Sequence, residues 1–200
     1  MGNRQSVASE LRSDVSQSYE YTNNYWLKSV ETDANGNTTQ SNGNVDIYDF
    51  ENRLIKRTKA DGTIITITSD ADGKRVAKSV VSADSTNTTY FTVDSNNLTG
   101  YAQVFEELAE FGTRLTMKRR YTFGLDMISQ EIMSGENLRG PPAVSYYLYD
   151  GGASVRGLAD ASGTVTDSYT YDAFGNLLAT TGSTSNLYLY HGELIKGTGG

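Results

Sequence analysis

Residues 147–177, YLYDGGASVRGLADASGTVTDSYTYDAFGNL, contain the same pair of tyrosines twice, 22 positions apart. Tyr147 and Tyr149 form the first pair, and Tyr169 and Tyr171 form the second. Side chains two positions apart on a β-strand point to the same face of a sheet, so each pair is expected to line one side of a strand. Self-similarity at a period of roughly twenty to fifty residues indicates a repeat architecture. The stretch therefore predicts consecutive strands built from a repeated unit.

The repeated unit also has a characteristic turn. An aspartate follows the tyrosine in Tyr149-Asp150 and Tyr171-Asp172, and an earlier copy begins at Tyr48-Asp49. Turn residues follow in each copy, and Asp-Gly and Asn-Gly steps supply the positive φ that tight hairpins require. The predicted signature of the repeat comprises Tyr19, Tyr21, Tyr48, Asp49, Tyr147, Tyr149, Asp150, Tyr169, Tyr171, Asp172 and Gly175.

These patterns predict an all-β fold, an antiparallel array of β-hairpins. Segment 104–115 also approximates a helical stripe of apolar residues, but short apolar runs are ambiguous and we favour two strands joined near residue 112. Segment 134–142, with two glycines and two prolines, is expected to be a loop. Strands are expected near residues 18–22, 27–31, 45–48, 54–59, 63–68, 75–81, 89–93, 102–108, 115–123, 127–133, 145–150, 155–160, 164–171, 177–181 and 187–191.

The composition excludes several classes of protein. A formal net charge of −7 argues against nucleic-acid binding, and the one basic cluster, residues 118–120, is expected to be a solvated strand edge. The absence of cysteine excludes disulfides and thiolate metal sites. No apolar run approaches the roughly eighteen residues of a transmembrane helix, and no signal-peptide pattern opens the printed sequence.

Candidate catalytic and metal-binding residues are sparse. Glu106 and Glu107 are adjacent, so on a strand they face opposite ways and cannot flank one glycosidic bond. His191 is the only histidine, and without a cysteine or a second histidine it cannot anchor a zinc site. Segments 33–37 and 70–73 resemble pieces of a calcium loop, but they recur where turns are expected. We therefore predict no catalytic, cofactor-binding or metal-binding residues and no enzymatic activity.

The segments YDFENRL (residues 48–54) and YDAFGNLL (residues 171–178) resemble the YD repeats of bacterial RHS (rearrangement hot spot) proteins. Residues 146–183 are similar to the start of the RHS-associated core, and residues 94–108 and 121–131 to segments just before it. The resemblance implies degenerate YD repeats over residues 1–120 and core-like repeats over residues 121–200, without a sharp boundary.

The resemblance implies a long β-sheet that spirals into a shell around a C-terminal toxin polypeptide. The expected function is thus structural, and the expected partners are further repeats of a larger polypeptide and the enclosed toxin. It also implies a secreted or cell-surface bacterial protein, of which this chain is expected to be a fragment. No Asp-Pro dipeptide occurs in the sequence, so the self-cleavage known in the family is not expected here.

A cell-surface carbohydrate-binding module is the alternative function. Trp26 and the tyrosines could stack against sugar rings if they are exposed on a flat sheet. The competing explanation is that the tyrosines form cross-strand contacts worth about 0.2–1 kcal/mol per pair. Their recurrence at the same place in the repeat favours the structural explanation.

Overall fold

The computed structural model describes residues 6–8, 17–18, 20–21, 27–97, 99–111, 113–135 and 138–190. Tyr19, Trp26 and His191, named above, lie outside the described residues. Throughout the described part, the regular structure consists of antiparallel β-strands and contains no α-helix, which confirms the predicted fold class. No membrane-spanning helix occurs in this part of the chain.

Fourteen of the strands, β3 to β16, form one sheet in which each strand lies beside the next in sequence. The first two strands, β1 and β2, pair separately. The strands are β1 (Ser6–Val7), β2 (Gln17–Ser18), β3 (Val30–Thr32), β4 (Thr38–Ser41), β5 (Asn44–Tyr48), β6 (Leu54–Thr58), β7 (Ile64–Ser69), β8 (Arg75–Val81), β9 (Thr86–Asp94), β10 (Gln103–Phe111), β11 (Arg114–Phe123), β12 (Met127–Ile132), β13 (Ala143–Tyr149), β14 (Val155–Ala159), β15 (Val165–Tyr171) and β16 (Leu177–Thr181).

Alternation of buried and exposed side chains explains why these segments form strands. In β13, Ser145 and Tyr147 are buried, whereas Tyr146 and Leu148 between and beside them are exposed. This two-residue period is the pattern of a sheet with one covered face and one solvated face. Tyrosine and threonine suit such strands because they favour the extended backbone and tolerate a wet side.

The strand expectations were confirmed in the least certain segment and were wrong in several others. Residues 104–111 belong to β10 and residues 114–115 begin β11, so strands form here as favoured. Strand β1 was not expected, and among the described residues of the expected strand at 18–22 only Ser18 belongs to a strand, β2. The expected strand at 27–31 is instead a bridge from Leu27 to Tyr21, a turn, and then β3. Strand β4 was not expected, because its sequence of threonine, glutamine and serine carries no apolar alternation. Residues 187–190 belong to none of the sixteen strands.

The chain divides into two compact units. The first comprises Met1–Thr68 and Lys78–Asn87, and the second comprises Ser69–Ala77 and Thr88–Gly200. In the first unit, Asp46 stands where the repeat would place a tyrosine, and Arg57 donates to its two carboxylate oxygens at 2.7 and 2.6 Å.

The second unit contains the apolar core. Its buried members lie on β11 to β15 and are dominated by tyrosine. They are Tyr121, Met127, Tyr147, Val155, Leu158, Tyr169 and Tyr171.

Candidate functional site: capped turns and a tyrosine-lined face

The aspartate of each tyrosine-aspartate dipeptide caps the turn that follows it. Asp150 Oδ1 accepts hydrogen bonds from the backbone N–H groups of Gly152 at 2.9 Å and Ser154 at 3.1 Å. Asp172 Oδ1 accepts the equivalent bonds from Phe174 and Asn176 at 2.8 and 2.9 Å. A side-chain acceptor thus satisfies two backbone donors that the turn removes from the strand ladder.

The same cap recurs in other turns along the chain. Asp33, Asp49, Asp70 and Asp160 each accept from the backbone two and four positions ahead. The segments that resembled calcium loops, at Asp33 and Asp70, are two of these turns. Because their carboxylates already accept bonds from their own loops, the geometry favours turn formation at both. Within the described residues, no three acidic or histidine side chains converge where they could hold a metal ion.

These hydrogen bonds favour the charged carboxylate. The bond from the Ser154 N–H, helped by Arg156, lowers the pKa of Asp150 below its ordinary value. The bond from the Arg53 N–H is the main cause of the lowered pKa of Asp49. Such shifts arise because a hydrogen bond donated to the charged form stabilises it.

The fourth residue of the capped turn adopts a left-handed backbone. Gly175 has φ of 85°, as expected for the glycine of the signature. In the corresponding place the other signature turns have Ala153 at 59° and Asn52 at 62°. A left-handed conformation is unfavourable for alanine, so the turn geometry at residue 153 is imposed by its cap and flanking strands.

The signature tyrosines of the second unit point into its core. Tyr147, Tyr169 and Tyr171 are buried, and Tyr149 is half-buried. The hydroxyl of Tyr149 donates to the carbonyl oxygen of Met127 at 2.8 Å. Tyr171 likewise donates to the carbonyl of Val155 at 2.8 Å. The hydroxyls are therefore used within the fold, which satisfies polar groups that burial would otherwise penalise.

A buried charged cluster lies beside these tyrosines. The Tyr121 hydroxyl donates to Glu107 Oε1 at 2.6 Å, and Arg119 Nη1 lies 3.2 Å from the Tyr121 hydroxyl oxygen. Only 3% of Glu107 and of Arg119 is exposed, so the expected solvated edge at residues 118–120 is wrong for its central residue. Burial by itself lowers the pKa of Arg119. The interactions with Tyr121 and Glu107 raise the pKa by more than burial lowers it, so the net shift is upward. Neighbouring Arg120 faces the other way and pairs with Glu106 at 3.3 Å.

Residues 183–190, called here the return segment, lie against the tyrosine-lined face. Asp167 accepts hydrogen bonds from the N–H and the hydroxyl of Thr184 at 2.9 and 2.7 Å. Further along the segment, Arg119 Nη2 donates to Ser185 Oγ at 2.8 Å.

Two tyrosine rings complete the contact between the return segment and the core. Tyr188 meets Tyr121 edge to face at 5.2 Å between ring centroids, and Tyr190 meets Tyr171 at 5.5 Å. Edge-to-face geometry at such separations is the favoured arrangement of aromatic pairs. Burial raises the pKa of Tyr188 to about 12. The last tyrosine pair of the sequence thus packs on the core rather than extending the sheet.

Comparisons with known proteins identify the fold. No family model and no curated protein matches the chain. The crystal structure of TcdB2-TccC3 matches 97% of the chain with a TM-score of 0.65 and 14% identity. That of TcdB2-TccC3-Cdc42 matches 84% with a TM-score of 0.63 and 16% identity. The chain has the fold of an RHS/YD-repeat segment.

A third similar structure is the Photorhabdus luminescens Tc holotoxin pore with the TccC3 mutation D651A. It matches 87% of the chain with a TM-score of 0.60 and 14% identity. The chain spans 11%, 8% and 9% of the three matched chains, in the order given. The fold therefore corresponds to a small part of each of those structures.

Sequence reasoning missed the buried polar residues. Glu107, Arg119, Gln130 and Asp167 are each at most 3% exposed, although none belongs to the repeat signature. The sequence indicates the burial of Arg119 only through its position, since Arg119 lies two residues from Tyr121 and therefore on the same face of the strand. The partners that make their burial possible come from distant parts of the sequence, which a local pattern does not show.

Proposed function

We propose that this segment forms part of the wall of an RHS-type shell that encloses a toxin or effector polypeptide. The observation that carries the proposal is the match of 97% of the chain to 11% of a chain in TcdB2-TccC3. A meander in which every strand pairs with its neighbour is a suitable wall, because it continues at both ends by adding hairpins. The other expected partners are then further repeats of a larger polypeptide.

The contacts of the repeat signature support a structural role for those residues. Tyr149 and Tyr171 donate their hydroxyls to backbone carbonyls, and Asp150 and Asp172 accept from their own turns. Each of these four side chains therefore stabilises a hairpin or joins one hairpin to the next. We infer the same role for Tyr48 and Asp49, the copy in the first unit.

We also propose that the segment is not catalytic. Glu106 pairs with Arg120 while Glu107 binds Tyr121, so the two carboxylates are committed to opposite sides of β10. A pair of catalytic carboxylates would have to converge on one bond.

By the same inference the protein acts outside the producing cell or at its surface, and it does not bind nucleic acid. Neighbouring structures include a Tc holotoxin pore, and the negative charge of this chain opposes binding to phosphate.

Carbohydrate binding remains the alternative. The core tyrosines oppose it, because sugar-stacking platforms have to be exposed and Tyr147, Tyr169 and Tyr171 are buried. Screening on a glycan array separates the two functions. Micromolar binding to a polysaccharide would favour the alternative.

Protease protection tests the shell directly on the protein that carries this segment. We expect negative-stain images to show a hollow particle, and the enclosed polypeptide to resist a protease that cleaves it once denaturant opens the particle. A solid particle, or an enclosed polypeptide cleaved at the same rate with and without denaturant, would contradict the proposal.

A further inference from the structure

A pocket of 670 Å³ lies in the second unit, where β10 to β13 meet their turns. Phe123, Met127 and Tyr149 line its inner part, and Tyr101 and Leu125 line its most exposed part. The exposed fractions of Tyr101 and Leu125 are 80% and 78%, so both side chains are accessible to a ligand. The volume is within the range of roughly 300–1,000 Å³ that is typical of ligand pockets.

Arg75 gives the pocket a cation. Its guanidinium lies 5.0 Å from the centroid of the Phe91 ring. Among the described residues, no hydrogen bond or ion pair joins Arg75 to a carboxylate. Burial lowers its pKa, and Tyr188 and Glu107 partly offset that effect. A carboxylate supplied by a ligand would stabilise the charged form of this half-buried arginine, because arginine binds carboxylates through two parallel hydrogen bonds.

Arg156, in the same unit, has both an aromatic contact and a hydrogen bond to a carboxylate. Its guanidinium lies 5.4 Å from the centroid of the Tyr171 ring, and it also donates to Asp150 Oδ2 at 2.7 Å. The two arginines thus share an aromatic contact and differ in whether the guanidinium is hydrogen-bonded to a carboxylate of the fold.

Besides Arg75, the pocket is lined by the Asp126 carboxylate, and a ligand carboxylate would have to bind Arg75 away from it. The remaining polar groups are largely engaged. Tyr149 donates its hydroxyl to Met127, and Thr99 donates its hydroxyl to Asn97 Oδ1 at 2.6 Å. A sugar would bring many hydroxyls to a site that offers few hydrogen-bond partners, and unmet polar groups reduce affinity. An apolar side chain with a single neighbouring carboxylate fits the lining better.

We propose that this pocket binds a peptide segment in which a large apolar side chain lies next to a carboxylate. The apolar side chain contacts Tyr101 and Leu125, and the carboxylate binds Arg75. Aromatic and arginine side chains of this kind dominate the affinity of peptide and protein interfaces. The inference is independent of the shell role, since it concerns only the chemistry of this pocket.

Titration calorimetry with two peptides tests the inference. The probes are acetylated and amidated Ala-Phe-Glu-Ala and its analogue Ala-Phe-Gln-Ala. We expect the glutamate peptide to bind the unmodified protein at least about tenfold more tightly than the glutamine peptide, in keeping with a charge-assisted hydrogen bond. Arg75→Gln should abolish that preference, whereas Arg156→Gln should retain it.

A second variant and a third probe complete the experiment. Leu125→Ala, at a mostly exposed position, should weaken both peptides equally, and thermal melts of all variants verify that they fold. The inference fails if neither peptide binds, if Arg75→Gln keeps the preference, or if Arg156→Gln loses it. Tighter binding of an oligoglucuronate than of the glutamate peptide would assign the pocket to acidic sugars and also overturn it.

Discussion

Tyr121 donates a hydrogen bond of 2.6 Å to Glu107 between β11 and β10, on the face that the return segment covers. Tyr90 donates a bond of the same length to Glu110 at an exposed position. Tyr121 is fully buried and Glu107 is 3% exposed. The two pairs therefore have the same chemistry and differ in burial, which makes them a natural comparison for the energetic role of the buried cluster.

Tyr121→Phe is expected to lower the free energy of unfolding by about 1–3 kcal/mol, because it leaves a buried carboxylate without its donor. Tyr90→Phe should change it by no more than about 0.5 kcal/mol, since water replaces the lost donor. Urea unfolding of both variants measures the difference. Equal losses would show that burial of Glu107 does not set the strength of the interaction.

The capped turns predict a loss of stability in acid. Hydrogen bonds from the turn backbone lower the pKa of Asp49 and Asp150, and the Ser162 side chain does so for Asp160. A carboxyl with a lowered folded pKa stabilises the fold above its unfolded pKa of about 3.9. That stability is lost as the pH falls through the folded pKa.

Urea unfolding between pH 2.5 and pH 6 measures this dependence. The Asp150→Asn variant retains an oxygen acceptor but cannot titrate there, so its stability should change less across this range. An unchanged slope would show that the turn carboxylates do not contribute.

The repeat pattern was sufficient to predict the hairpins but not what covers them. Tyrosine spacing and the turn residues depend on neighbours in sequence, so most of β5 to β16 could be located from them. Strand β4 lacks an apolar period and is identifiable only through its pairing with β3 and β5. The return segment depends on Asp167, Arg119 and Tyr121, which lie far from it in sequence. Its tyrosines, spaced as on a strand, therefore gave a wrong prediction of an additional strand.

Gly163 and Gly175 have the same φ of 85°. Substituting each in turn distinguishes the cost of backbone strain from the cost of a clash with the return segment. A Cβ at Gly163 would meet no atom within 4 Å, whereas one at Gly175 would lie 2.6 Å from Tyr190 Cδ1. Gly163→Ala should cost about 1–2 kcal/mol from the left-handed backbone alone. Gly175→Ala should cost more, because the Tyr190 ring must also move. Equal losses in thermal or urea unfolding would show that Tyr190 does not pack there.

Asp167 is expected to hold the return segment on the sheet. Asp167 is 2% exposed, and its carboxylate accepts three bonds, from Thr184 N–H and from the hydroxyls of Thr166 and Thr184. Burial raises its pKa, but these bonds outweigh burial and the net pKa is lowered. Asp167→Ala removes the acceptors, so amides of residues 183–190 should exchange faster while those of β9 to β13 remain protected.

Hydrogen exchange measured by mass spectrometry distinguishes local release from general destabilisation, because proteins open in separate cooperative units. Asp160→Ala is the matched control, since that aspartate caps only its own turn. It should leave exchange in residues 183–190 unchanged. Faster exchange throughout the second unit in the Asp167 variant would instead mean that the return segment and the sheet unfold together.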